Sequence, residues 1–416
     1  MLKPRCAGKP GRQKYYLKWI CQIDKIKHTL TRIFLEDESI GGKFILIAAA
    51  LSLIAVNSPL QYTYLDFWQQ RLTLGASPWT LTMDLRHWVN EGLMAVFFLV
   101  VGLEIKRELV KGKLKTFKTA ILPIGAAIGG MIVPAFIYLV FNPQMNTSGW
   151  GIPIATDIAF AVTVLALLGT RAPLALKIFL LTLAIADDLG AITVIALFYA
   201  EIIHYGFLAI SILTVLAVFL LRKWLSNKFL LVILAGISLW ITTHLSGIHA
   251  SVVGAIMGLL APVATAHGKS SLPEKVEKSL LPVSTFLVLP VFAFANAGFA
   301  ISPEAFTAAP SVFWGIIIGL VAGKVVGITV VSWIMLKLKV AELPAGVTMR
   351  HIVGAGFLAG IGFTVSIFIT ELAFADNHVL TETAKTAIFI ASFVSAAFGS
   401  LILLHSPKST APNSPS

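Results

Sequence analysis

The chain has 416 residues, of which 57% are hydrophobic and only 12% charged. Soluble domains carry roughly twice that share of charge, so apolar runs of membrane-spanning length override the two or three soluble domains that length alone suggests. The formal charge of +12 would suit nucleic acid, but the placement of the basic residues along the chain argues against that partner.

Residues 1–39 form a basic tail with Tyr15, Tyr16 and Trp19. It reads as a solvated cytoplasmic segment, with a surface helix drawn to anionic lipid as the alternative. Cys6 and Cys21 both fall in it, so no disulfide framework is expected. No compact apolar core followed by a small-residue cleavage site marks a cleaved signal peptide.

A transmembrane domain over 40–405 follows, then a short cytoplasmic tail, 406–416. We count about twelve spans, at 40–57, 86–110, 121–141, 151–169, 176–200, 207–222, 229–245, 247–262, 281–299, 312–336, 351–373 and 385–405. Lys and Arg crowd the loops after the even spans: Lys106, Arg107, Lys111, Lys113, Lys115 and Lys118, then Arg171 and Lys177, then Arg222, Lys223 and Lys228. Lys269, Lys275 and Lys278 follow span eight, and Lys337, Lys339 and Arg350 follow span ten. The other face has only Arg71, Arg86 and Lys385. Under the positive-inside rule both termini are cytoplasmic, and the basic excess reports topology.

Between spans one and two, Leu72 to Leu85 has a Gly75-Ala76-Ser77-Pro78 turn between strand-like flanks, which predicts a hairpin. An exposed hairpin edge suits pairing with a second copy, an argument for a homodimer. At the inner end of span two, Glu104, Arg107 and Glu108 share one helix face. Their spacing fits a charged terminus solvated at the interface; the other reading is an ion-attracting cytoplasmic mouth whose carboxylates titrate with pH.

Span four enters through Gly151 and Pro153 and carries Thr156 and Asp157, so a break near Asp157 is expected. Span eleven is also glycine-rich, and Ile158 to Thr163 aligns with Ile361 to Ser366, keeping Ile, Phe and Val in register. The two spans run in opposite directions, which suggests an inverted repeat of spans three to five against ten to twelve. Interrupted segments at corresponding places in two halves point to a transporter site.

Span five carries Asp187 and Asp188 side by side, and span ten carries Lys324 near its centre. One charge at a membrane helix centre costs about 2.5–3.5 kcal/mol. Adjacent helical residues point about 100° apart, so one aspartate can face Lys324 while the other faces a water-filled path. A purely structural ion pair would leave two of the three acids unexplained.

The motifs TDIAF (Asp157), AIADDLGAI (Asp187, Asp188), GLEIKREL, LSGIHAS, LPVFAFANAG, Gly323-Lys324 and GIGFTVSIF occur in consistent order from about Phe34 to Ser400. In these the chain resembles the NhaA family of sodium–proton antiporters. The resemblance implies an all-α polytopic protein of the bacterial inner membrane with about 12 transmembrane helices, and a dimer through the outside hairpin. Spans four and eleven would be broken helices crossing near the midplane. It implies that Asp187 and Asp188 bind the transported Na⁺ and protons, that Asp157 and Thr156 are the polar residues at the break, and that Lys324 faces the site. Glu104, Arg107, Glu108 and Glu277 match the family's cytoplasmic pH-sensing cluster, and His249 a histidine linked to pH response. Departures are Glu91 for the usual Asp, Lys278 and Leu281 for histidines near the inner mouth, and Val325 for a proline. These put the pH set-point in doubt more than the transport reaction.

Elementary chemistry agrees. Hard cations prefer oxygen ligands, and burial disfavours a carboxylate's charged form, so proton and Na⁺ or Li⁺ compete for the same oxygens. The expected function is Na⁺ expulsion in exchange for external H⁺, electrogenic and pH-regulated, with no enzymatic activity, no ATP and no cofactor beyond the transported ions. Membrane lipid is the surrounding partner. A passive cation channel is the alternative, but channels favour rings of symmetric subunits. An intramembrane aspartyl protease needs its acids on different helices facing one bond, and a retinal protein has fewer spans.

Overall fold

With no water to satisfy the backbone in hydrocarbon, an apolar run must close its hydrogen bonds within itself. The computed structural model is accordingly helical almost throughout. It describes residues 38–76, 79–112, 117–200, 202–225, 228–262, 272–301 and 304–406. The expected basic tail up to residue 37, with Cys6 and Cys21, and the tail from 407 onward lie outside the described residues, as do Lys113, Lys115 and Lys269.

The elements are α1 (Glu38–Val56), α2 (Gln61–Gln69), β1 (Arg71–Ala76), β2 (Trp79–Asp84), α3 (Leu85–Trp88), α4 (Met94–Val110), α5 (Phe117–Phe141), α6 (Ile158–Leu167), α7 (Leu174–Phe198), α8 (Tyr205–Leu225) and α9 (Phe229–Leu245). They continue as α10 (Val252–Leu260), α11 (Leu272–Val283), α12 (Leu289–Asn296), α13 (Glu304–Thr307), α14 (Pro310–Ile318), α15 (Lys324–Lys337), α16 (Met349–Ala359), α17 (Phe363–Ala373) and α18 (His378–Leu404). Wide π-helical turns at Val89–Leu93, Ser284–Val288 and Gly319–Gly323 join α3 to α4, α11 to α12 and α14 to α15.

Among the described residues, seven helices are long and apolar enough to cross a membrane, and nine if each of two bent pairs counts as one span. The bent pairs are α1 with α2, turned by 113°, and α16 with α17, turned by 46°. Exposed Leu, Ile and Phe side chains stud the outer surface, among them Ile132, Phe136, Leu213, Leu220 and Phe393. An apolar exterior on a helical body is what lipid contact demands.

Two local expectations change. The hairpin forms, but Gly75 and Ala76 belong to β1, where Gly75 pairs with Thr80 and Ala76 with Trp79. Gly75 takes a positive φ of 104° within the strand, which a Cβ would oppose. Ser77 and Pro78, the rest of the expected turn, lie outside the described residues. The connection before the hairpin contains α2, whose Tyr64 and Trp68 are buried and meet the ring of Phe294 at 5.5 and 6.0 Å. Span nine starts at Leu272 instead of residue 281. Its first turns carry Glu274, Lys275, Glu277 and Lys278, an amphipathic pattern that hydropathy alone reads as loop.

The centre is drawn tight where α5 crosses α15. A Cβ at Gly129 would run into the Gly327 carbonyl, and one at Gly327 into Gly129. The two backbones approach as small residues allow in membrane bundles, and this seats Lys324 at the first turn of α15.

Candidate functional site

The site is built where two helices fail. After Asn146 the chain winds as a 3₁₀ segment, Thr147–Ile154, then becomes extended at Ala155 and Asp157 before α6 begins. Pro153 lies in this segment, and the Gly151 amide donates to the Tyr199 hydroxyl at 3.2 Å. The second interruption is Gly360-Ile361-Gly362, between α16 and α17. A glycine pair without side chains to pack, followed by β-branched residues, gives the helix a place to stop.

The breaks satisfy each other. The Asp157 amide donates to the Ile361 carbonyl at 2.7 Å, and the Ser366 hydroxyl to the Ile152 carbonyl at 2.8 Å. The Asp157 carboxylate caps both half-helices. Its Oδ1 accepts from the Phe160 amide at 3.1 Å in α6. Its Oδ2 accepts from the Thr364 amide at 3.0 Å and the Thr364 hydroxyl at 2.5 Å in α17. One negative side chain therefore meets two positive helix ends.

Lys324 is fully buried, and the π-helical turn Gly319–Gly323 delivers it. Its ammonium has three donors and no acceptor. All three are used: one to the Ile154 carbonyl at 2.5 Å, one to the Thr156 hydroxyl oxygen at 3.0 Å, and one to Asp187 Oδ2 in an ion pair. The cation thus neutralises Asp187 and also meets the carbonyl end of the 3₁₀ segment. Thr156 Oγ1 lies 2.6 Å from Asp187 Oδ2 and 2.8 Å from the Ala359 carbonyl, so its single proton serves one of these two acceptors. Asp187 Oδ1 has no hydrogen-bond partner among the described residues.

Asp188 differs from its neighbour. It is buried, yet no described group hydrogen-bonds to it. Its carboxylate lines a cavity of about 270 Å³ together with Asp157, Thr156, Thr364 and Glu104. Gly41 and Leu281 also line it, so the cavity reaches toward the end of the molecule where α1 starts and α4 finishes. The lining offers carboxylate, hydroxyl and carbonyl oxygens and no sulfur or imidazole, a donor set suited to a hard monovalent cation.

The structure also gathers the end-of-helix charges. Arg107 forms an ion pair with Glu277 and lies 3.7 Å from both Glu104 and Glu108. Beside them Lys111 pairs with Glu274 at 2.5 Å. His249 is elsewhere: its Nδ1 lies 2.8 Å from Glu91 Oε1, while Glu91 Oε2 accepts from the Ser251 amide at 3.1 Å. Thirteen residues separate Glu91 from Glu104 along one helical run, about 20 Å at 1.5 Å per residue.

All ten residues singled out from sequence are thus placed. Asp157, Thr156, Asp187, Asp188 and Lys324 converge at the two breaks. Glu104, Arg107, Glu108 and Glu277 meet at one end, and His249 stands apart. Sequence reasoning missed Thr364, which holds Asp157, and the Ile154 carbonyl, which holds Lys324. A hydroxyl two residues after the glycine break was the available signal for Thr364; a backbone carbonyl leaves none.

Residues 32–403 match the family model described as Na+/H+ antiporter 1. A protein of Clostridium beijerinckii named Na(+)/H(+) antiporter NhaA 2 is 46% identical over 389 residues, covering 91% of this chain and 96% of its own. NhaA 1 of Klebsiella pneumoniae is 45% identical, with coverage of 91% and 96%. NhaA of Escherichia coli O1:K1 is 44% identical, with coverage of 90% and 97%. A match this long, at these identities, means that the chain belongs to the NhaA family of Na⁺/H⁺ antiporters.

Proposed function

We propose that this protein exchanges Na⁺, and Li⁺, for H⁺, and that Asp188 is its principal cation ligand. The observation that carries the reading is the division of labour between adjacent acids. Asp187 is committed to Lys324 and Thr156, whereas Asp188 is buried, has no hydrogen-bond partner among the described residues, and faces the cavity. A buried carboxylate without a partner is unstable as an anion. It takes up either a proton or a cation, and the two exclude each other. Asp157, tied at both oxygens by the half-helix amides, fixes the shape of the site and adds negative potential beside it.

Exchange follows from this competition once the site faces the two sides in turn. A site holding Na⁺ crosses in one direction, a protonated one returns, and an empty anionic site is too costly to cross. Two protons per monovalent cation would move net charge and let the membrane potential drive Na⁺ outward at about 2.3 kcal/mol per charge per 100 mV. The second proton would belong to the Asp187–Lys324 pair. The passive channel has no observation in its favour: the site is a single asymmetric cluster between broken helices.

We take the chain as twelve spans in a bacterial inner membrane, with both termini cytoplasmic and homodimerisation through β1 and β2. Spans three to five and ten to twelve form inverted repeats. Supporting the repeat, Phe160 and Phe363, equivalent in the alignment of spans four and eleven, pack against each other at 4.9 Å. The cluster of Glu104, Arg107, Glu108 and Glu277 sets the pH response, with Glu91 and His249 acting at the opposite end.

The test is flux in proteoliposomes with Na⁺, Li⁺ and K⁺ over a pH series spanning neutrality. Na⁺- and Li⁺-dependent proton movement, absent with K⁺, is expected. Cation flux without counter-movement of protons would sink the reading. Current on a supported membrane should accompany exchange, and a silent trace during verified exchange would overturn the two-proton stoichiometry.

A further inference from the structure

The cavity at Asp188 runs toward one end of the molecule, and what closes the other end can be followed along α17. Thr364, Phe368 and Glu371 are spaced four and three apart and share one face of that helix. Thr364 holds Asp157. Phe368 is fully buried and packs on Phe98 of α4 at 5.6 Å and Phe292 of α12 at 6.1 Å. Glu371 lies two turns beyond Thr364, about 10 Å along the axis. There its carboxylate sits 2.7 Å from the ammonium of Lys385 in α18, a side chain only 2% exposed. Arg86 of α3 is within electrostatic reach of Glu371 and keeps a buried Nε with no hydrogen-bond partner among the described residues. The neighbouring acid Glu382 is engaged elsewhere, accepting from the Ala300 amide at 2.7 Å.

An aromatic plug is therefore backed by charges joining α17 to α18, with the start of the helical run that carries Phe98 alongside. Apolar side chains of similar volume would hold such a junction at least as well as a buried ion pair. What an ion pair adds is a contact that can separate once water enters, since hydration compensates both charges.

We propose that Glu371, paired with Lys385 and within electrostatic reach of Arg86, is a positioning residue that latches the far side of the cation path. With the latch closed, Phe368 is seated against Phe98 and Phe292, and the carboxylate site communicates only with the Glu104 end. Opening the far side moves α17 away from α18 and α3, and the pair parts. The inference rests on the antiport reading only in taking the Asp188 cavity as the site that must alternate.

The test reads accessibility rather than transport. In full-length protein with Cys6 and Cys21 replaced by Ser, Thr370→Cys places one thiol in the buried part of α17 beside the latch. A membrane-impermeant thiol reagent is applied from the side opposite Glu104. Slow labelling is expected with the latch intact. Glu371→Gln and Lys385→Met should each raise the rate about tenfold through the shifted population. The charge-exchanged pair Glu371→Lys with Lys385→Glu should restore protection. Unchanged labelling in both single variants, or a charge-exchanged pair that labels as fast as they do, would overturn the latch. If Glu371→Gln fails to insert, Lys385→Met and the exchanged pair still decide. Absence of Na⁺/H⁺ exchange in the parent protein would defeat the antiport reading and leave this measurement intact.

Discussion

Two clusters of acids and bases in this molecule use the same side chains to different ends. At the two breaks, Lys324 is satisfied by three acceptors, Asp157 caps two half-helices, and Asp187 has one oxygen in an ion pair. At the end of α4, Arg107 is shared among Glu277, Glu104 and Glu108 with its side chain 40% exposed. Burial separates them. In low dielectric every unmatched charge costs several kcal/mol, so the interior cluster is fixed and the one unpartnered group stands out. At the water-facing end partners are exchangeable and screened, which suits a responsive surface more than a rigid site.

Variants sharpen this contrast, beginning with the largest effect. Asp188→Asn should reduce Na⁺-driven proton movement in everted vesicles to background without lowering the thermal midpoint of the purified protein, because no hydrogen bond is lost and an unmatched buried charge is removed. Exchange persisting in that variant would remove Asp188 from the centre of the mechanism. Next, Lys324→Met or Asp187→Asn should each destabilise by about 3–5 kcal/mol, since one buried charge remains unmatched. The double variant should cost less than the sum of the two, and a double-mutant cycle on thermal midpoints measures the coupling. Strict additivity would mean that the pair is not energetically coupled. Thr364→Val removes one charge-assisted hydrogen bond of about 1.5–3 kcal/mol. It should weaken apparent Na⁺ affinity with little change in maximal rate.

The contrast also explains what the sequence revealed. Asp187, Asp188 and Lys324 were legible because charges inside apolar runs are costly, and the glycines of span eleven marked a break because they weaken helices. The pairing of Asp187 with Lys324 agrees with the angular argument that neighbouring acids face different ways. Thr364 and the Ile154 carbonyl were hidden, since a hydroxyl or a carbonyl gains meaning only when another segment arrives beside it. The first turns of α11 were hidden for a different reason: Glu274, Lys275, Glu277 and Lys278 lower the hydropathy of a helix whose other face is apolar. The latch residues Glu371 and Lys385 were overlooked because each lies near a span end, where a charge is ordinarily solvated.

The smallest effects belong to the exposed cluster, and there the prediction turns on its degree of exposure. Glu277 is nearly buried beneath Arg107, so Glu277→Gln should displace the midpoint of the activity–pH curve, by up to about one unit given the screened partners. An unmoved curve would reduce the cluster to a solvated helix terminus. Lys111 and Glu274, with side chains 39% and 20% exposed, are the limiting case. Their pair faces water, loses side-chain freedom on forming and is screened by salt. Glu274→Gln should therefore cost no more than about 1 kcal/mol, vanish at high ionic strength and move the pH curve less than Glu277→Gln does. A large shift from this substitution would mean that the whole end of α11 acts as one coupled titrating unit, and the line between fixed interior and screened surface would have to be drawn further out.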